Sequence, residues 1–265
     1  MKNKIIVTIP GKIHLLGEHS SVHGKPALLT AIDKLCKITL EPQTSSSITL
    51  TLREFSETIT VKLNDVLSLT EKANKVWKKF SKTNDTKLLK SIIQKSSDYL
   101  IIIIGEALRY YKVTKLKFGF KLTIDSDIPV GAGLGSSAAC AIGIAAAVTL
   151  FLGKTFEKHV INEIAYCAEQ KMHGFPSGGD TAAVCFGGLV WYRKESAELK
   201  IIQPVAFQIS KEITKNFLLI DTGKPDETTG ELVSKVKHLF DQKPEKVLTI
   251  LNDQESLTRQ LLTIT

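Results

Sequence analysis

Short alternating runs and longer runs of helical spacing succeed one another along this chain, the pattern of a mixed α and β protein. Ile5–Ile9 predicts a strand that stops at Pro10-Gly11, and the Lys12–Pro26 stretch after it is unusually polar for a neighbour of a core strand. Ala27–Leu40 and Ile48–Leu63 are β-branched and partly alternating. Pro42–Ser47 between them predicts a hairpin-like turn or a flexible loop, and the strands are expected to be antiparallel. Val66–Ser81 and Thr86–Tyr111 have helical spacing, with lysines on the wet side and Leu, Ile and Trp77 on the dry one. Leu116–Ile124 alternates as a half-buried strand, and Ala138–Leu152 is an Ala-rich apolar helix. Phe156–His173 predicts a further helix stopped by Gly174 and Pro176, and Gly187–Tyr192 a returning strand. Ile201–Ile209 and Phe217–Asp221 read as strands, followed by polar Thr222–Thr229 and amphipathic helices.

The junction between the Leu116–Ile124 strand and the Ala138–Leu152 helix carries the strongest chemical signal: Pro129-Val-Gly-Ala-Gly-Leu-Gly-Ser-Ser-Ala-Ala139. Gly131, Gly133 and Gly135 can adopt backbone angles closed to other residues and let an anion approach the main chain. The first turn of the helix adds unpaired N–H groups and the positive end of its dipole, so phosphate is the natural guest. The spacing matches neither the dinucleotide Gly-x-Gly-x-x-Gly nor the Walker pattern, which disfavours both of those folds. The plain alternative is a glycine turn with Ser as helix cap and no ligand.

Composition narrows the partners. The chain has 265 residues, 43% hydrophobic and 23% charged, enough for one large domain or two smaller ones with a substantial core. Its formal net charge of +8 suits acidic ligands. Arginine occurs only at Arg53, Arg109, Arg193 and Arg259 and the lysines are scattered, so neither nucleic acid nor a membrane surface is the expected partner. Cys36, Cys140, Cys167 and Cys185 form no Cys-x-x-Cys pair and read as reduced thiols. No signal peptide is evident, and the longest apolar run is too short for a bilayer, which leads to a cytoplasmic protein as the expectation.

Three separated segments resemble the GHMP kinase superfamily, most closely its mevalonate-phosphorylating branch. The first is Pro10-Gly-Lys-Ile-His-Leu-Leu-Gly-Glu-His-Ser-Ser-Val-His-Gly-Lys-Pro26, similar to that branch's entry motif. The second is the glycine-serine loop. The third is Glu169…His173-Gly-Phe-Pro-Ser-Gly-Gly-Asp180-Thr181…Gly187-Gly188. A further glycine-rich motif near the superfamily's C-terminus has no counterpart here.

The resemblance implies an α+β, two-lobed fold. Residues 1–195 would form an N-terminal ATP-binding lobe of left-handed βαβ type, like the second domain of ribosomal protein S5. Residues 196–265 would form a ferredoxin-like α/β C-terminal lobe that is cut short. It also implies ATP as co-substrate, held by Gly131, Gly133, Leu134, Gly135, Ser136, Ser137 and Ala138, and Mg²⁺ on Ser137 and Glu169. Asp180 and Lys12 match the catalytic carboxylate and lysine; Glu18, His19 and Thr222 match acceptor-side positions. The implied reaction is phosphorylation of the C5 hydroxyl of (R)-mevalonate, in a cytoplasmic protein that a homodimer would suit.

Other readings stay open at this point: another acceptor of the same superfamily, such as phosphomevalonate, homoserine or a sugar, or a nucleotide-binding derivative without turnover. Glu169 also fits a surface helix, and Asp180 a helix N-cap. His14 and His23 fit structural roles better than catalytic ones. A catalytic Lys12–Asp180 pair should lie within about 4–6 Å.

Overall fold

The computed structural model describes residues 3–18, 20–53, 56–196, 198–206, 212, 215–220 and 229–263. Seven strands form one mixed sheet: β1 (Ile5–Leu16), β2 (Ala27–Gln43), β3 (Ile48–Leu52), β4 (Glu57–Val61), β5 (Gly119–Ser126), β6 (Leu189–Lys194) and β7 (Lys200–Val205). Helices are α1 (Leu63–Thr83), α2 (Thr86–Lys90), α3 (Ser96–Tyr110), α4 (Ser136–Phe151), α5 (Lys158–His173), α6 (Gly179–Phe186), α7 (Thr229–Gln242) and α8 (Pro244–Thr263), with a 3-10 turn at Ser21–His23.

The long strand β2 organises the sheet. It runs antiparallel to β1 over Ile5–Leu16, and it also pairs with β5 through Cys36–Gln43 and with β6 through Ala27–Thr30. Because β3 pairs with β5 in parallel, β2 and β3 are not neighbours. The Pro42–Ser47 link is therefore a crossover loop and not a hairpin turn. β4 closes the β3 side antiparallel, and β7 closes the β6 side.

Helix α4 is apolar on all sides, which is what a helix buried all round needs. It packs on β1 and β2 and also meets α3, α5 and α6. Ile102, Ile103 and Ile104 of α3 are fully buried in the same core. Burying one such side chain stabilises the fold by about 1.5–3 kcal/mol, so this layer fixes α4, and the glycine loop before it, against the sheet.

Four elements differ from the sequence pattern. The first strand does not stop at Pro10-Gly11. It shifts register there and runs on to Leu16, so Lys12 and His14 stand on strand, not loop. The Thr86–Tyr111 helix is two helices, because the Asp98 carboxylate accepts hydrogen bonds from the amides of Gln94 and Lys95, both at 3.0 Å, and starts α3 afresh. Helix α6 is foreseen only as the helix that an N-cap role for Asp180 would open, and it starts ahead of that residue, at Gly179. Phe217–Ile220 carry no regular structure and are exposed, and Asp221 lies outside the described residues. A boundary at residue 195 would cut the β6–β7 hairpin, since Lys200–Val205 is hydrogen-bonded into the first sheet. Beyond β7 the described residues form α7 and α8 and no second sheet.

Candidate active site

Three segments distant in sequence meet over the middle of β1. The Lys12 amide donates to the Leu134 carbonyl at 2.9 Å, which ties the glycine loop to the strand. Gly135 caps α4 with φ +79°, and a Cβ there would stand 2.8 Å from Lys12 Cγ. Only glycine meets both demands: the left-handed angle and the close approach of the lysine stem. Gly131 and Gly133 also have positive φ. The loop thus has the conformation that its three glycines predict, with Ser136, Ser137 and Ala138 opening the helix behind it.

The Lys12 side chain is 4% exposed and its Nζ lies 3.0 Å from Asp180 Oδ1. His14, two residues along the same strand face, brings Nε2 to 2.9 Å from that same oxygen. Asp180 sits in the first turn of α6, whose N-cap is Gly178. Its carboxylate points to β1 and caps no helix, which removes the N-cap reading. The Tyr192 hydroxyl donates to the Ser177 carbonyl and braces the turn before it. Partial burial would raise the Asp180 carboxyl, but Lys12 and His14 outweigh it and hold the group well below the usual carboxylate range.

Both donors occupy Oδ1. Among the described residues no hydrogen bond reaches Oδ2, and the Asp180 side chain is 43% exposed. The open oxygen is the feature that sets this carboxylate apart. His14, which the sequence favours as structural, belongs to the site. Alternation with Lys12 along one strand was the signal, and it was hidden by ending the strand at Gly11. His23 does take a packing role, stacking on Phe240 with ring centroids 5.5 Å apart.

Glu169 on α5 is buried. It accepts a hydrogen bond from the Tyr99 hydroxyl and lies 3.4 Å from His173 Nε2. Burial first, then the Glu169 charge, push the Tyr99 phenol well above its ordinary value, so Tyr99 remains the donor. Tyr99 also reaches the Ser137 carbonyl at 3.4 Å, which places Glu169 and Ser137 around one tyrosine at the start of α4.

Glu18 is exposed just after Gly17, a residue whose φ of +84° and 2.5 Å clearance to the Pro26 carbonyl admit no side chain. Two cavities share His14, Leu15 and Glu18. One of about 310 Å³ lies between β1 and the glycine loop and reaches Phe217 and Leu219. The other, of about 260 Å³, runs along β1 to Gly17 and Gln254 of α8. His19 and Thr222 lie outside the described residues. No helix among the described residues is long and apolar enough to cross a membrane.

The glycine loop, the buried lysine and the partly exposed carboxylate thus meet in one place over β1. The profile of the GHMP kinases N terminal domain matches residues 99–188, about a third of the chain. Along its length the chain is similar to mevalonate kinases. The chain is 28% identical to the mevalonate kinase of Methanocaldococcus jannaschii over 88% of its own length, and 29% identical to that of Pyrococcus furiosus over 94%. It spans 66% of the length of each of these curated relatives. The crystal structure of the Methanococcus jannaschii enzyme superposes with a TM-score of 0.74 at 24% identity, covering 99% of this chain and 74% of that one, a likeness of fold.

Proposed function

We propose that this chain transfers the γ-phosphoryl group of ATP to the primary C5 hydroxyl of (R)-mevalonate, giving 5-phosphomevalonate and ADP in the cytoplasm. The observation that carries the reading is the 3.0 Å Lys12–Asp180 pair beside a glycine loop hydrogen-bonded to Lys12 itself. Phosphoryl transfer asks a protein for in-line placement and positive charge, and little covalent chemistry.

The loop amides and the α4 N-terminus receive the β- and γ-phosphates. Lys12, desolvated and fixed, stabilises charge on the transferred group. Asp180 Oδ2 accepts a hydrogen bond from the acceptor hydroxyl and aims its oxygen at the γ-phosphorus. As the new P–O bond forms and the bond to the β-phosphate oxygen breaks, the hydroxyl proton passes to Oδ2. A carboxylate held so far down is a weak base, so the proton moves late, when the attacking oxygen has become acidic.

Mg²⁺ fits the residues near α4. No cluster of three or more His, Cys, Asp or Glu able to hold a metal occurs among the described residues. A hydroxyl and one buried carboxylate, Ser137 and Glu169, are nonetheless the hard oxygen donors this ion takes when phosphates and water complete its shell. When bound, the ion neutralises charge on the β- and γ-phosphates.

The test is coupled ADP release by the purified chain with mevalonate, phosphomevalonate, homoserine and galactose as acceptors. Turnover with mevalonate at least about tenfold above the others in kcat/KM supports the reading. ATP binding without ADP release on any acceptor contradicts it and favours a derivative without turnover.

A further inference from the structure

The cavity beside His14 contains a group that the mechanism above does not use. Gln254 of α8 lines it opposite the Leu15–Glu18 stretch. The Gln254 Oε1 atom is buried and has no hydrogen-bond partner among the described residues, and the same is true of His14 Nδ1. A buried acceptor left unpaired costs about 1–3 kcal/mol, so an unpaired one in a cavity wall marks a place where a ligand group belongs.

Gln254 is held in place. Lys25 donates to Asn252 Oδ1 at 2.7 Å and to Glu255 Oε2 at 3.0 Å, on either side of it. Arg193 approaches Glu255 at 3.7 Å, and Val247, Leu251 and Thr258 bury the same helix face. The amide therefore sits on a rigid helix, as a recognition group requires. His14 connects this wall to the reacting centre, since its Nε2 bonds Asp180 while its ring lines the cavity.

We infer that Gln254 is a specificity-determining residue: its Oε1 accepts a hydrogen bond from a second hydroxyl of the acceptor while the first hydroxyl lies at Asp180. The inference rests on the reading of the chain as a mevalonate kinase, whose acceptor has such a second hydroxyl on C3. A monohydroxy acid of the same length leaves Oε1 unpaired and binds more weakly.

Gln254→Leu and Gln254→Glu in the full chain test this, with KM for mevalonate and ATP measured by ADP release. The expected result is a rise in mevalonate KM of at least about tenfold in Gln254→Leu, with ATP KM unchanged. Gln254→Glu keeps an acceptor oxygen and restores KM to within about threefold of the parent. With 5-hydroxy-3-methylpentanoate, which lacks the second hydroxyl, the parent and Gln254→Leu become equal. Melting curves identify any variant that has lost its fold, and Gln254→Glu keeps the inference testable if Gln254→Leu has. Parent turnover with an unaltered mevalonate KM in Gln254→Leu, or equal losses in both variants, overturns the inference alone. Absence of parent turnover on every acceptor overturns the kinase reading and the inference with it.

Discussion

Lys12–Asp180 and Lys171–Glu106 are the same chemical pair put to different ends. Lys171 and Glu106 are each 1% exposed, and both Glu106 oxygens are filled. Oε1 takes Lys171 at 3.3 Å and Asn74 at 2.6 Å, while Oε2 takes the Arg109 guanidinium at 2.7 and 2.8 Å. The Lys171 ammonium also stands 5.2 Å from the centre of the Trp77 ring. That cluster locks α1, α3 and α5 together and has nothing left to offer a ligand. In the other pair the lysine is also buried, but Asp180 keeps one oxygen free of hydrogen bonds and is 43% exposed. A saturated carboxylate holds; a half-saturated one can also react. Burial of charge alone does not distinguish the two pairs; the unfilled oxygen does, and the proposed reaction is the one that uses it.

Replacing each pair in turn tests that difference. The largest expected effect is on chemistry: Lys12→Met lowers kcat by about 10³-fold with a small change in melting temperature, because water can solvate the exposed face of Asp180. Steady-state ADP release and calorimetry check the two halves, and retained turnover breaks the contrast. Glu106→Leu does the opposite. It strands the buried Lys171 ammonium and costs about 3–5 kcal/mol, lowering the melting temperature by about 10 °C in a chain of this size, while kcat of the folded protein at low temperature stays within about threefold. A large loss of kcat at full stability would put Glu106 in the reacting centre.

The smallest effect is a pH dependence of stability. The Asp180 carboxyl lies below its ordinary range when folded, so it contributes stability that is complete above that range and is lost as pH falls through the folded value. Asp180→Asn has no such group. Its denaturation midpoint falls less than the parent's on moving from about pH 5 to about pH 2.5, and parallel curves would show that the Lys12 and His14 contacts do not hold the carboxylate down.

The glycine loop was legible because it needs only local chemistry: three glycines and two serines between an alternating strand and an Ala-rich helix. The Lys12–Asp180 contact was legible only through resemblance, since 168 positions of chain separate its partners and no spacing rule joins them. His14 was missed because Pro10-Gly11 reads as a strand end, whereas in the sheet the missing Pro10 donor is absorbed by a register shift. Helix α6 is short and opens on the second of two glycines, so its pattern was drowned by turn signals. Gln254 carries no motif. Its place depends on α8 docking through Lys25, a contact spanning the chain. The loss of a β2–β3 hairpin has a similar cause: β5, far along the sequence, inserts between them.

Turnover of Asp180→Asn with mevalonate and saturating ATP and Mg²⁺, beside its ATP dissociation constant, tests most directly the claim that the open carboxylate oxygen is where transfer occurs. The account predicts a fall in kcat of about 10³-fold with ATP affinity within about twofold of the parent. An Asp180→Asn protein that binds ATP normally and turns over at the parent's rate would contradict it.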